Sequence, residues 1–149
     1  MKTNMLLASF FQRDTFIVGE ELLGKILVRF FPDGGEKRYR ITDIELYIGE
    51  EDEACHAHKG RTKRTEVMYS EGGCLYVYLI YGMYWMLNIV TSSKNSPEAI
   101  LIRGIEEIRG PGKVGRILKI DKSFNGEDLE HSSRIWIEDA PHANQYKKS

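Results

Sequence analysis

From Leu75 to Val90 the chain carries no charge, is crowded with aromatic rings and is interrupted once by glycine. β-Favouring residues on both sides of Gly82-Met83 predict two strands joined by a two-residue hairpin turn. Gly82 would supply the positive φ that the first central position needs. Tyr81 and Tyr84 then flank the turn at a protruding tip. Large rings there lose apolar burial unless something covers them; an opened base-pair stack is one cover, and ordinary core packing is another. The uncharged span 72–93 is long enough to cross a bilayer, but its glycine, its tyrosines and Asn88 are poor lipid-facing residues. No second hydrophobic segment accompanies it, so no membrane is expected as a partner.

Upstream, Tyr39 to Ile48 alternates with a period of two. Ile44, Leu46 and Ile48 fall on one face, and Asp43, Glu45 and Tyr47 on the other. The polar face is either solvated or lines a pocket in which a carboxylate could take a proton from water. Asp14 or Thr15 is placed to cap a helix running to about Leu23, with Phe16, Val18, Leu22 and Leu23 as its apolar positions. Lys25 to Phe31 reads as a strand, Pro32 to Gly35 as a turn, and Gly49 to Gly73 as a long loop with one short helix. Ala99 to Ile105 is a strand carrying Arg103. Pro111 opens a helix to about Ile120, whose N-terminal turn with Lys113 is placed to meet a phosphate. Ile135 to Ile137 is a last short strand, and residues 142–149 read as a disordered tail. Without repeats or a linker, residues 1–141 form one α+β domain: a curved antiparallel β-sheet with a protruding aromatic hairpin and peripheral helices.

Composition changes little in this picture. At 149 residues the chain is one domain, and a net charge of −1 with a pI near 6.4 neither requires nor forbids a polyanionic partner. Locally, Lys59, Arg61, Lys63 and Arg64 form a basic patch after the acidic run Glu50 to Glu53. Cys55-His56-Ala57-His58 lacks the paired spacing of a zinc site, so no metal is expected. Two cysteines, Cys55 and Cys74, suggest a reducing compartment, with one disulfide still open. The segment Met1 to Phe11 is too weakly apolar for a signal peptide, which places the protein inside the cell. Gly110 to Lys113 lacks the glycine spacing of a nucleotide-binding loop.

Taken in order, Glu45-Leu46-Tyr47, Glu51 to His56, Gly60 to Arg64, Leu75 to Tyr78, Ile80 to Tyr84, Asn88 and Arg103 closely resemble the alkyladenine (methylpurine) DNA glycosylases. Gly110 to Lys113 and Asp121 to Gly126 match as well. The resemblance implies a general base at Glu45 and a water-holding arginine at Arg103. Tyr47, His56 and Tyr78 would sandwich an extruded base, Asn88 would crowd the pocket against the guanine amino group, and Tyr81 would be the wedge. With Tyr81, Met83 and Tyr84 at the tip, Arg61, Lys63, Arg64 and Lys113 are expected against DNA. The implied reaction is base-excision repair. An alkylated or deaminated purine is flipped from the duplex and its N-glycosidic bond hydrolysed by water, leaving an abasic site.

No catalytic lysine is matched, so a monofunctional enzyme is expected, with no cofactor. It would be a monomer whose partner is double-stranded DNA containing damaged purines. Its place would be the cytoplasm, associated with the nucleoid, in a prokaryote, or the nucleus in a eukaryote. The segment between Arg103 and Gly110 is shorter than the helical stretch many family members carry. The chain also stops soon after Trp136, where the family usually continues with a strand that returns to the core and backbone that helps position the water. Two other readings stay open: a damaged-DNA binding protein with weak or no turnover, and a small-molecule hydrolase reusing the pocket.

Overall fold

The computed structural model describes residues 4–52, 54–63 and 65–141. Arg64 of the expected basic patch and the expected tail 142–149 lie outside the described residues. Among the described residues seven antiparallel strands form one curled sheet: β1 (Ile26–Phe30), β2 (Glu36–Ile48), β3 (Leu75–Ile80), β4 (Tyr84–Val90), β5 (Glu98–Ile105), β6 (Ile108–Arg109) and β7 (Ile135–Glu138). The order across the sheet is β3-β4-β5-β2-β1-β7, with β6 returning on β5. The α-helices α1 (Ala8–Phe11), α2 (Thr15–Leu22) and α3 (Pro111–Ile117) lie around it. The α+β class and the curved sheet expected from the sequence are what the chain adopts. Among the described residues no helix is long and apolar enough to cross a membrane.

β2 organises the sheet because it is long enough to serve two neighbours. Its first half, Glu36 to Arg40, pairs with β1, and its second half, Ile41 to Ile48, pairs with β5. Irregularities on either side of Asp43 break the register of the second half against β5, just after the change of partner. An extra residue in one strand bends it and increases its twist, which curls the sheet at this point.

Both faces of the sheet are covered, by different material. Ile44 and Leu46 of β2, Ile100 and Ile102 of β5, Leu87 and Ile89 of β4, and Leu75 and Val77 of β3 point to a core shared with Val18 and Leu22 of α2 and Val114 of α3. The opposite face carries Tyr76, Val90 and Ala99, buried against Cys55, Ala57, Met68 and Tyr69 of the loop 49–73. That loop holds two short 3₁₀ turns, His56–Lys59 and Glu66–Tyr69, rather than the single helix expected. In α2 the Asp14 side chain accepts from the Phe16 amide, as a cap should. Phe16 nevertheless faces solvent, because the side toward the sheet is taken by Val18, Gly19 and Leu22. A Cβ at Gly19 would lie 2.8 Å from Leu46 Cδ2, so the helix approaches β2 through its smallest residue.

α3 uses the same device against the hairpin. A Cβ at Gly115 would stand 2.0 Å from the Trp85 carbonyl oxygen, and one at Gly112 would stand 2.7 Å from the Tyr84 ring. The helix ends at Ile117, three residues before the expected stop. Lys119 adopts φ of 52°, and the Ile120 amide reaches back to the Gly115 carbonyl at 2.9 Å, which closes the helix by a six-to-one hydrogen bond.

At the far edge, Glu138 of β7 is buried and accepts from Arg38 and, at 3.0 Å, from Trp136 Nε1. Desolvation pushes this carboxyl upward, but the hydrogen bonds from Arg38 and Trp136 outweigh it and hold Glu138 below its ordinary value. Its contribution to stability is therefore complete above the ordinary carboxylate value of 4.5 and is lost as pH falls through the lower folded value. Urea midpoints measured from neutral pH down to about pH 3 should fall more steeply for the natural chain than for Glu138→Gln; parallel curves would remove Glu138 from the acid sensitivity. Gly115→Ala should lower stability by about 2 kcal/mol or more, because the clash is with backbone that cannot rotate away. An unchanged urea midpoint would show that α3 can move off β4 freely.

Candidate active site

Strand register assembles the site. Tyr76 pairs with Asn88, Asn88 with Leu101, and Leu101 with Glu45, so these four residues form one row across β3, β4, β5 and β2. Paired residues share a face, and residues two apart on a strand share it too. Tyr78, Tyr47 and Arg103 therefore join the row on the face roofed by the loop 49–73. Ala99, small and fully buried, leaves space between Tyr47 and Val90.

Glu45 stands at the mouth of this arrangement with two donors. Arg103 Nη1 reaches Glu45 Oε1 at 3.2 Å, and the Tyr47 hydroxyl donates to Oε2 at 2.5 Å. The Glu45 and Arg103 side chains are 39% and 49% exposed, so the carboxylate is oriented yet open to water. Burial, and then the neighbouring Glu45 carboxylate, push the Tyr47 phenol far above its ordinary range; it stays a donor at any physiological pH.

Beside Glu45 lies a narrow pocket with an internal volume of about 10 Å³. Tyr47, His56, Tyr78 and Asn88, the four base-binding candidates, all line it. The His56 and Tyr78 rings lie 4.2 Å apart between centroids, and His56 Nδ1 is 3.0 Å from the Tyr76 hydroxyl. Asn88 is buried in the middle of β4, where its amide nitrogen donates to the Tyr76 carbonyl at 3.2 Å. Tyr76, Ala54 and Met68 complete the wall and were not singled out as site residues. Tyr76 could have been, since it shares the period of Tyr78. Met68 had no such signal, because it arrives from a 3₁₀ turn distant in sequence. Cys55 and Cys74 are free thiols; burial pushes both above the ordinary thiol value.

The hairpin tip differs from the expected turn. Ile80 pairs with Tyr84, and the Met83 amide bonds the Ile80 carbonyl at 3.0 Å, so Tyr81 and Gly82 are the central pair, with φ of 53° and 65°. Positive φ at both positions is the signature of a type I′ turn, whose twist suits a hairpin, and it costs Tyr81 some backbone strain. Tyr81 consequently projects with 86% of its surface exposed, and Met83 with 57%. Tyr84 does not project; it lies against Gly112, with the Arg116 guanidinium 5.3 Å from its ring.

Of the candidate phosphate contacts, Lys63 and Lys113 are exposed. Arg61 lies 4.2 Å over the Tyr69 ring, hydrogen-bonds the Asn95 side chain and forms an ion pair with Glu66 at 3.6 Å, so it braces the loop as well as charging it. Tyr69 in turn donates to Glu50, and burial followed by that carboxylate pushes its phenol up to about 12. Among the described residues no group of three His, Cys, Asp or Glu side chains is placed to hold a metal.

The family model described as Methylpurine-DNA glycosylase (MPG) matches residues 9–149. The chain belongs to the methylpurine-DNA glycosylase family. Its relatives include proteins provisionally named 3-methyladenine DNA glycosylases. The one from Natranaerobius thermophilus is 42% identical over 160 residues, covering 93% of this chain and 80% of its own. That from Rickettsia felis is 45% identical over 145 residues, covering 93% and 79%. A Legionella pneumophila protein is 46% identical over 132 residues, covering 83% and 71%. Family membership makes damaged DNA the substrate class and DNA repair the setting of this methylpurine-DNA glycosylase fold.

Proposed function

We propose that this protein is a monofunctional, monomeric glycosylase that flips a damaged purine from duplex DNA and hydrolyses its N-glycosidic bond. The observation that carries the reading is the single row joining Glu45 and Arg103 to the aromatic pocket. Breaking the bond builds positive charge on the sugar, which a carboxylate beside the pocket mouth stabilises while taking a proton from the attacking water. Arg103 and the Tyr47 hydroxyl hold the two oxygens of that carboxylate in place. Water supplies the nucleophile, so the product is an abasic site and the free base.

A base inside a helix is out of reach, and extruding it costs a few kcal/mol, least for damaged or mispaired bases. Tyr81, projecting from a hydrogen-bonded turn, fills the gap and restores stacking. Alkylated purines are electron-poor, which favours the ring faces of Tyr47 and Tyr78 as they favour cations. Asn88, buried between strands, limits the space available to an exocyclic amino group.

Glu45→Gln keeps shape and removes the base. Duplex containing one alkylated or deaminated purine should still bind, while single-turnover base release falls by about a hundredfold or more. Equal release by the variant, scored by alkaline cleavage of abasic sites, would remove Glu45 from the mechanism. Asn88→Ala should enlarge the pocket and raise the excision of guanine derivatives relative to adenine derivatives by about tenfold. An unchanged ratio would make Asn88 a strand residue without a role in selection.

A further inference from the structure

The β3–β4 hairpin has two sides, and only one of them faces the base pocket. Asn88 and Tyr78 point to the pocket; Trp85, an odd number of residues from Asn88 along β4, points away and packs on the helix-covered core. On that second side a cleft of about 230 Å³ opens between the tip and α3. Met83 and Trp85 form one wall, and Gly112, Gly115, Arg116 and Lys119 form the other. The apolar wall is partly exposed, and the opposite wall is cationic.

The charge on this cleft stands out in a chain whose net charge is −1. Ile108 to Ile120 holds Arg109, Lys113, Arg116 and Lys119 and no carboxylate. Lys113 and Arg116 are three apart on α3 and so share a face, and all four side chains are exposed. The Arg116 guanidinium sits 5.3 Å from the Tyr84 ring and the Lys119 ammonium 5.6 Å from the Phe31 ring, so both are steadied by aromatic faces.

We propose that this cleft receives the strand opposite the lesion, with Arg116 and Lys119 on two of its phosphates and Met83 and Trp85 against its sugars. The inference rests on the reading of Tyr81 as a wedge. A wedge entering between the two strands leaves one strand on each side of the hairpin. The pocket side takes the extruded nucleotide, so the other side meets the intact strand. A partly exposed apolar wall facing two cations is complementary to a sugar–phosphate backbone and makes no demand on sequence.

The test uses the full chain and a duplex carrying one tetrahydrofuran abasic-site analogue, with the same lesion strand alone for comparison. Replacing opposite-strand phosphates near the lesion by neutral methylphosphonates should weaken duplex binding by about tenfold per contact near 0.1 M salt. The Arg116→Gln, Lys119→Gln double variant should lower the slope of log affinity against log salt by about 2 on duplex, leave single-strand binding unchanged, and be indifferent to the methylphosphonates. Equal losses on duplex and single strand would overturn the proposal. So would a natural chain that ignores neutralisation of the opposite strand, a result that needs no variant to fold. Base release by the natural chain is scored in parallel. Release with no opposite-strand effect sinks this inference and keeps the proposed function, and the opposite-strand effect without release does the reverse.

Discussion

A one-residue slip of β2 against β5 would carry Glu45 and Tyr47 to the helix-covered face and push Ile44 and Leu46 toward the loop 49–73. Every other feature of the site depends on that slip not occurring. Side chains alternate along a strand with a period of two, so register and face are one variable. Here both faces are occupied by incompatible material: close-packed aliphatic side chains and two helices on one, rings and polar groups under a loop on the other. The helix side fixes the register through volume. Gly19 admits Leu46 and Ile44 at contact distance, and a slipped strand would bring Glu45 against α2 instead. Packing on one face thereby positions chemistry on the other.

How much of this could be read from residues alone follows the same division. The alternation in β2, the paired runs around the tip and the strand carrying Arg103 were legible, because each is a local pattern with a physical period. The ring of Tyr47, His56, Tyr78 and Asn88 was legible only through resemblance, since nothing in spacing says that the turn at His56 folds back over β3. Where the expectation failed, a long-range constraint had overridden a local preference. Gly82 and Met83 were expected as the central pair of the turn, with the positive φ at Gly82, yet Tyr81 and Gly82 take those places and both carry positive φ. Helix α3 was expected to run on to Ile120, but Lys119 adopts the left-handed conformation that glycine usually supplies. Phe16 was counted among the apolar positions of α2 but is exposed, and the close approach to β2 is made at Gly19 instead. Tyr76 was passed over as a site residue for want of any signal beyond its spacing from Tyr78.

Local charge is another quantity that the whole-chain sum conceals. Acidic residues gather in Glu50 to Asp52, where Glu50 takes the Tyr69 hydroxyl and Asp52 takes the amides of Ile48 and Ala54. They are spent on holding the loop. The edge near β7 uses its carboxylates similarly, with Glu127 bound by Arg134 and Glu138 by Arg38. Cations of α3 have no such structural duty and remain outward. A near-neutral chain can therefore present a positive surface beside its tip, because its charges are unevenly distributed along the sequence.

Cys55 sits in the wall behind the pocket, and Cys74 lies at the root of the hairpin, both with thiols pushed upward by burial. The thiolate is the reactive form, and raising the thiol value depopulates it. The electrophiles that methylate purines also attack sulfur. Both thiols of this chain are therefore held in the form that reacts more slowly with them. The apolar packing behind the pocket thus also keeps the Cys55 thiol in its less reactive form.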